Sequence, residues 1–326
     1  MTRILIIILL LGLWLPAGLC LASSKSLEVR TTRIEPSDLN GARHGQLEFL
    51  GGFELESRDS RFGGLSGLAM SKDGKQLYAI SDRGYWVTAR LHHDDKGVLT
   101  HIDNWQMDTL LTLSGESLRG SMRDAEALAL DRDGSFIVGF ERNPRLWRYP
   151  RSNKPFSRPP RELSLPSELR GAPSNGGLEA LAILKDRSLL LITERYKNED
   201  GTTRGWIMDR KGASPISYRQ SDGFEPTDVS TLSNGDIVLL ERRYNLLRGA
   251  IVRVRQLPAR SIRPGASLKG SEIALLEPPF EVDNFEGLAV RSHSKAGTLL
   301  YMISDDNYSP LQRTLLLQFR LIKTTP

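Results

Sequence analysis

Cysteine is almost missing from this chain. Of 326 residues one is Cys20, inside the N-terminal segment, so a disulfide framework cannot be what holds the fold together. Stability must come from a large apolar core or a bound metal, and a chain of this length can bury a sizeable core. Long apolar runs are equally scarce. One spans residues 4–15, after the positive start Met1-Thr2-Arg3 and before the small residues Ala22-Ser23-Ser24. That layout is a secretory signal peptide over residues 1–22, and the run is too short to favour a permanent membrane helix. With the signal removed no transmembrane segment is expected, and the protein should be periplasmic or secreted. Lipid anchoring at Cys20 is the alternative, against which Leu19 stands where a small residue belongs. Neither charge dominates: 44 Lys and Arg face 39 Asp and Glu, a formal +5 spread along the chain. With no zinc-finger spacing and no basic helix interleaved with aromatics, nucleic acid is not expected as a partner. A mild pull towards small anions remains.

What the chain does have is one unit repeated: an acid or hydroxyl, a short apolar run, a turn, and a second apolar run ending in another acid. Copies start at Gly64-Leu65-Ser66-Gly67-Leu68, Asp124-Ala125-Glu126-Ala127-Leu128, Gly177-Leu178-Glu179-Ala180-Leu181, Glu225-Pro226-Thr227-Asp228-Val229 and Asn284-Phe285-Glu286-Gly287-Leu288. Their turns include Asp73-Gly74, Asp133-Gly134, Lys185-Asp186-Arg187 and Asn234-Gly235. Asp-Gly and Asn-Gly tolerate the positive φ of a tight turn, so each copy reads as an antiparallel hairpin. Repetition at this spacing is the mark of a repeat architecture.

Each hairpin is followed by two further strand-like runs, which makes a four-stranded propeller blade. The outer pairs begin near Tyr85 and Val98, Arg145 and Glu162, Gly205 and Pro215, and Ala250 and Glu272. The fifth copy has three runs, from Gly287, Leu299 and Thr314. Residues 46–55 supply its missing strand, which closes the ring and removes an exposed edge. The expectation is an all-β chain: a signal peptide (1–22), an irregular leader (23–45) and a single β-propeller (46–326), five-bladed, with six blades as the alternative. The stretch 150–173, rich in Pro and Arg, reads as an extended loop around blade two.

In a hairpin the start of the first strand meets the end of the second. Glu126 should therefore meet Glu141, Glu179 meet Glu194, Asp228 meet Glu241, and Glu286 meet Asp305, all near one rim. A core does not need acids at one end of every hairpin. Carboxylates converging on a tunnel mouth suit Ca²⁺, a hard cation that takes six to eight oxygen ligands. Glu126, Glu179, Asp228, Glu286 and Asp305 are the candidate metal ligands, with Asn284, Asp306 and Asn307 as further oxygen donors, while blade one offers only Ser66 and Gly67. Arg83, Arg142, Arg195 and Arg242 follow the second acids, and an arginine fork binds phosphate or carboxylate in bidentate fashion. The same acids and arginines could instead pair between neighbouring blades.

The Leu-Ser-Gly-Leu, Glu-Ala-Leu and Glu-Gly-Leu starts, with the Ser-Asp-Arg-Gly and Phe-Glu-Arg-Asn ends, resemble the secreted bacterial phytase-like family described by an esterase-like activity of phytase. The resemblance spans roughly residues 46–321 and implies a β-propeller loosely related to calcium-dependent propeller phytases. The leading expectation is a Ca²⁺-dependent phosphoester hydrolase, a monomer acting on a small anionic substrate. The arginines would hold the phosphate, and Glu141 or Glu194 would serve as base. Alternatives are a non-catalytic binding propeller of the cell envelope and a calcium-dependent esterase or lactonase. A serine nucleophile is disfavoured, because Gly64-Leu65-Ser66-Gly67-Leu68 lacks the last glycine of the Gly-x-Ser-x-Gly elbow and leads into no helix. Arg43-His44-Gly45 lacks the rest of the histidine acid phosphatase motif. His92-His93-Asp94-Asp95 reads as an exposed hairpin end, and Trp86, Trp105, Trp147 and Trp206 as outer-strand packing.

Overall fold

The apolar runs pair as antiparallel strands around a ring. The computed structural model describes residues 25–37, 43–245, 249–280 and 282–322, and among them the strands form five sheets, each built on four antiparallel strands. Blade one is Leu65–Met70, Gln76–Ser81, Tyr85–His93 and Leu99–Thr109. Blade two is Ala125–Leu130, Phe136–Phe140, Arg145–Tyr149 and Arg161–Leu163. Blade three is Leu178–Ile183, Leu189–Lys197, Thr203–Asp209 and Gly212–Tyr218. Blade four is Glu225–Thr231, Ile237–Asn245, Gly249–Leu257 and Ser271–Leu276. Blade five is Phe285–His293, Gly297–Ser304 and Thr314–Leu321, completed by Leu47–Glu56.

That last strand closes the ring. It runs antiparallel to Thr314–Leu321, with Phe53 opposite Leu316 and Leu47 opposite Leu321. Five blades, not six, complete the circle. The leader departs from the irregular segment expected over residues 23–45: Arg30–Ile34 and Arg43–His44 both pair with Leu47–Glu56, and Lys25–Ser26 pairs with the outer strand of blade one. Arg-Thr-Thr-Arg-Ile has no apolar alternation, so its strand rests on main-chain hydrogen bonds. It covers an edge that would otherwise be open.

Each interface between neighbouring blades carries its own apolar cluster. Leu68 and Tyr301 belong to the cluster between blades one and five, Trp86 and Phe140 to that between one and two, and Leu146 and Trp206 to that between two and three. Ile192 and Leu239 fill the seam between three and four, and Val254 and Phe319 that between four and five. At roughly 25 cal/mol per Å² of buried apolar surface, five such seams stabilise a chain that has no cross-links to do so. Trp86, Trp105, Trp147 and Trp206 are all buried. The 150–173 loop pins itself to the outside with Phe156, whose ring lies 5.9 Å from Trp86 and 4.5 Å from Phe136.

The turns follow the expected chemistry, with Gly134 and Gly235 at φ +84° and +95°. Blade three manages without glycine, placing Arg187 at φ +71°. Among the described residues no helix is long and apolar enough to cross a membrane. The expected signal peptide and Cys20 lie outside the described residues.

Candidate functional site

The inner hairpin of every blade carries a β-bulge at the same place. The register jumps between Leu65 and Gly67, Ala125 and Ala127, Leu178 and Ala180, Pro226 and Asp228, and Phe285 and Gly287. A bulge leaves one residue unpaired and re-aims its side chain. Those residues are Ser66, Glu126, Glu179, Thr227 and Glu286. Across each bulge the second strand presents Ser81, Phe140, Thr193, Glu241 and Ser304. The next residues are Asp82, Glu141, Glu194, Arg242 and Asp305. Two rings of five therefore face the mouth, and between them they hold seven carboxylates and one arginine.

Blade four corrects the sequence reading. Asp228 is one place past the bulge, in register with Gly67, Ala127, Ala180 and Gly287, and it is buried. Its carboxyl accepts the Val229 amide at 2.7 Å and the Leu288 amide of blade five at 2.6 Å. It fastens one inner strand to the next and stands outside the acid mouth. Its supposed partner Glu241 is likewise buried, with Arg253 at 2.6 Å, Arg255 at 3.2 Å and the Tyr218 hydroxyl at 2.6 Å. The mouth position falls to Thr227. Its hydroxyl bonds the Phe285 carbonyl of blade five at 3.2 Å, as the Ser66 hydroxyl bonds the Ala125 carbonyl of blade two at 2.6 Å. Where the bulge residue is not an acid, it is a hydroxyl tied to the next blade. That bond also removes Ser66 from consideration as a nucleophile.

The remaining acids crowd one another. Ligand oxygens of Asp124, Glu126 and Glu141 lie within 4.8 Å of each other, and so do those of Glu141, Glu179 and Glu194. Glu141 belongs to both trios, one oxygen held by the amides of Gly176 and Gly177, the latter at 2.9 Å. Among the described residues neither Glu126 nor Glu179 receives a hydrogen bond. Burial, then the fields of neighbouring carboxylates, pushes both well above the ordinary range. Burial also lifts Asp82 to about 6, Glu194 to about 7 and Asp305 to about 9, with Glu286 adding to the effect on Asp82 and Asp305. Arg195 pulls Glu194 back down, and Glu225 pushes it up. This is the signature of carboxylates short of a counter-charge.

Arg242 is the one cation in the two rings. Burial opposes its charge, but Glu286, Glu194, Glu179 and Asp305 together hold its pKa above the ordinary value. It donates to Glu286 at 2.9 Å and to the Asn284 side chain, and lies 3.5 Å from Glu194. The other expected arginines form an outer tier. Arg195 grips Glu225 through two bonds of 2.8 and 2.6 Å, the exposed Arg142 is 3.6 Å from Asp124, and the exposed Arg83 lies over the Tyr308 ring at 3.2 Å. Inter-blade pairing thus accounts for Arg195. Of the extra oxygen donors on blade five, Asp306 is committed to ring closure, accepting the Gly64 amide at 2.9 Å and the Thr314 hydroxyl at 3.0 Å. Asp82 and Asp124 escaped the sequence reading. Asp82 could have been found by its place beside Ser81 at the end of its hairpin. Asp124 sits at φ +78°, and nothing local in the sequence signals that backbone state.

The protein-family description "Phytase-like: Esterase-like activity of phytase" matches residues 60–308. The chain belongs to the phytase-like family. The match covers all five inner hairpins and both rings of this phytase-like chain. No curated protein sequence matches it. Among solved structures, an α-L-arabinofuranosidase from Podospora anserina in complex with cellotriose is similar at 13% identity, covering 85% of this chain and 97% of that one, with a TM-score of 0.53. A candidate gluconolactonase (12% identity, 93% and 92% covered, TM-score 0.43) and a streptogramin B lyase (10%, 85% and 98%, 0.40) are also similar. At such identities the likeness to the arabinofuranosidase speaks for the fold alone, and the other two add nothing to it.

Proposed function

We propose that the acid mouth is the active site of a metal-dependent phosphoester hydrolase. The observation that carries this reading is the pair of carboxylate trios sharing Glu141, with no hydrogen bond to Glu126 or Glu179 among the described residues. A donor set made only of oxygens, buried and starved of positive charge, fits a hard divalent cation such as Ca²⁺. Glu126, Glu141 and Glu179 would hold it, with Asp124 and Glu194 at the margins and Glu286 and Asp305 across the ring. When bound, such a cation supplies polarisation of a phosphoryl oxygen and screens the ring's negative charge.

The chain's own residues then divide the work. Arg242 is fixed at the inner edge by Glu286 and Asn284 and presents its remaining donors to a phosphoryl oxygen. Glu194, at about 7, is part ionised near neutrality and is placed to take a proton from attacking water. Glu141 suits a ligand better than a base, because one of its oxygens is already spent on two amides. Ser66 and Thr227, bonded to neighbouring blades, keep the ring's geometry. A carboxylic ester is the second reading, favoured by the family's description, since the same polarising groups serve a carbonyl. Residues 1–22 would deliver the enzyme to the periplasm or outside the cell.

Phosphate release by the purified chain without its first 22 residues, from phytate and simple phosphomonoesters, tests the proposal. Release in calcium that stops in chelator and in Glu179→Gln supports it. Folded protein that releases nothing under either condition would leave a non-catalytic binding propeller as the better account.

A further inference from the structure

Beside the mouth, between blades four and five, a cleft of about 790 Å³ opens off the acid rings. That is the size of sites that take small organic ligands. It is continuous with the mouth through Arg242 and Asn284, which line it and also bond Glu286. Its chemistry differs from the rings: Arg195, Arg242 and Arg243 line it against only Glu225 and Asp283. Both of those acids are engaged, Glu225 by Arg195 and Asp283 by the amides of Asn284 and Arg313. Three arginines against two acids leave the lining with one positive charge in excess, where the rings are negative.

The cleft also has an apolar lip. Among the described residues four large hydrophobic side chains are exposed, and two of them, Tyr244 at 70% and Leu311 at 92%, line this one cleft. A single exposed leucine means little. An aromatic and an aliphatic side chain at one opening, beside arginines and next to a hydrolytic site, form an amphipathic recess that suits an apolar group attached to an anion.

We propose that this cleft is the subsite for the substituent of the ester, so that the preferred substrates are phosphomonoesters bearing an aryl or long alkyl group rather than a densely phosphorylated polyol. The proposal rests on the reading of the mouth as a phosphoryl site and names what that site selects. The phosphoryl group sits at Arg242. The substituent lies outward between Tyr244 and Leu311, where its burial adds affinity that a bare phosphate cannot gain. A polyol carrying several phosphates would put charge against that lip.

Phenylphosphonate and methylphosphonate, neither of which can be hydrolysed, separate the two claims. Calorimetric titration of each into the calcium-loaded protein should give phenylphosphonate an advantage of about tenfold or more in Kd, the scale on which apolar pockets discriminate. In the Tyr244→Ser, Leu311→Ser double variant that ratio should fall towards one. Both positions are exposed, so the variant should fold, which an unchanged melting curve would verify. Equal affinities in the wild-type protein overturn the subsite while leaving the mouth reading intact. Binding of neither phosphonate overturns both. An advantage that survives the double variant places the substituent elsewhere and also overturns it.

Discussion

The tunnel has two ends made by the same five inner strands, and they could hardly be less alike. The far end is lined by Leu68, Leu128, Leu181, Val229 and Leu288, with the exposed Arg132 and Lys185 at its rim. The near end gathers Asp82, Asp124, Glu126, Glu141, Glu179, Glu194, Glu286 and Asp305, with Arg242 beside the last two and Glu179 and Glu194. The apolar end shows what the fold alone asks of these strands. Every blade supplies an aliphatic side chain at the same position there, and packing needs no carboxylate. The acids are an addition that the fold must tolerate, since buried carboxylates without counter-ions cost stability. A feature that destabilises and is nonetheless built into four blades of five calls for a ligand.

Four experiments bear on this contrast. The largest effect is expected at the near end, where Glu179→Gln should cut calcium-dependent phosphate release by about a hundredfold or more, beyond what loss of a supporting group around a metal costs. Activity retained to within a few-fold would mean the trio is not the site. Next comes Asp228→Ala, which removes the acceptor of two main-chain amides, one in each of two blades. It should cost about 3 kcal/mol in urea unfolding and leave calcium affinity unchanged. Weakened calcium binding by the folded variant would return Asp228 to the ligand set.

The third is a pH effect. Asp82, Glu194 and Asp305 are raised to about 6, 7 and 9 in the folded chain, above unfolded values near 4. Groups shifted this way give their full stabilisation below about pH 4 and lose it as pH climbs through the folded values. Without divalent cation, Tm should therefore fall between about pH 5 and pH 9. Calcium at a fixed concentration, about a hundred times its Kd at about pH 8.5, should restore roughly 2.7 kcal/mol there, and the gain in Tm should be smaller at about pH 5.5. A calcium effect that shrinks with rising pH would contradict the idea that the acids are its ligands. The smallest effect is assigned to the far end. Lys185→Ala should shift stability by no more than about 0.5 kcal/mol and leave phosphate release unchanged. A marked loss of activity there would dissolve the contrast between the two ends.

Much of this was open to a reader of the sequence. Apolar runs parted by Asp-Gly and Asn-Gly gave away the hairpins, and the three-stranded fifth repeat required a strand from elsewhere, which Leu47–Glu56 supplies. Acids at the hairpin ends pointed to one mouth. The phase of blade four was hidden, because carboxylates occur in both frames. Asp228 and Glu241 align with Glu126 and Glu141 if acids are matched to acids, yet each is one residue out. The bulge decides, and a bulge leaves little trace in composition. Matching the aliphatic residues instead would have exposed the error: Leu68, Leu128, Leu181, Val229 and Leu288 each fall two residues after the bulge, which puts Thr227 at the mouth. The polar strand Arg30–Ile34 was beyond reach for another reason. Ile34 is its one apolar side chain, so little in its composition marks it.

Isothermal titration of calcium into the wild-type chain and into Glu179→Gln, with circular dichroism to confirm that both are folded, tests the central claim most directly. The account predicts saturable binding to the wild-type chain that Glu179→Gln abolishes or weakens by at least about tenfold. No binding to the wild-type protein, or equal binding to both, would show that the acid mouth is not a cation site.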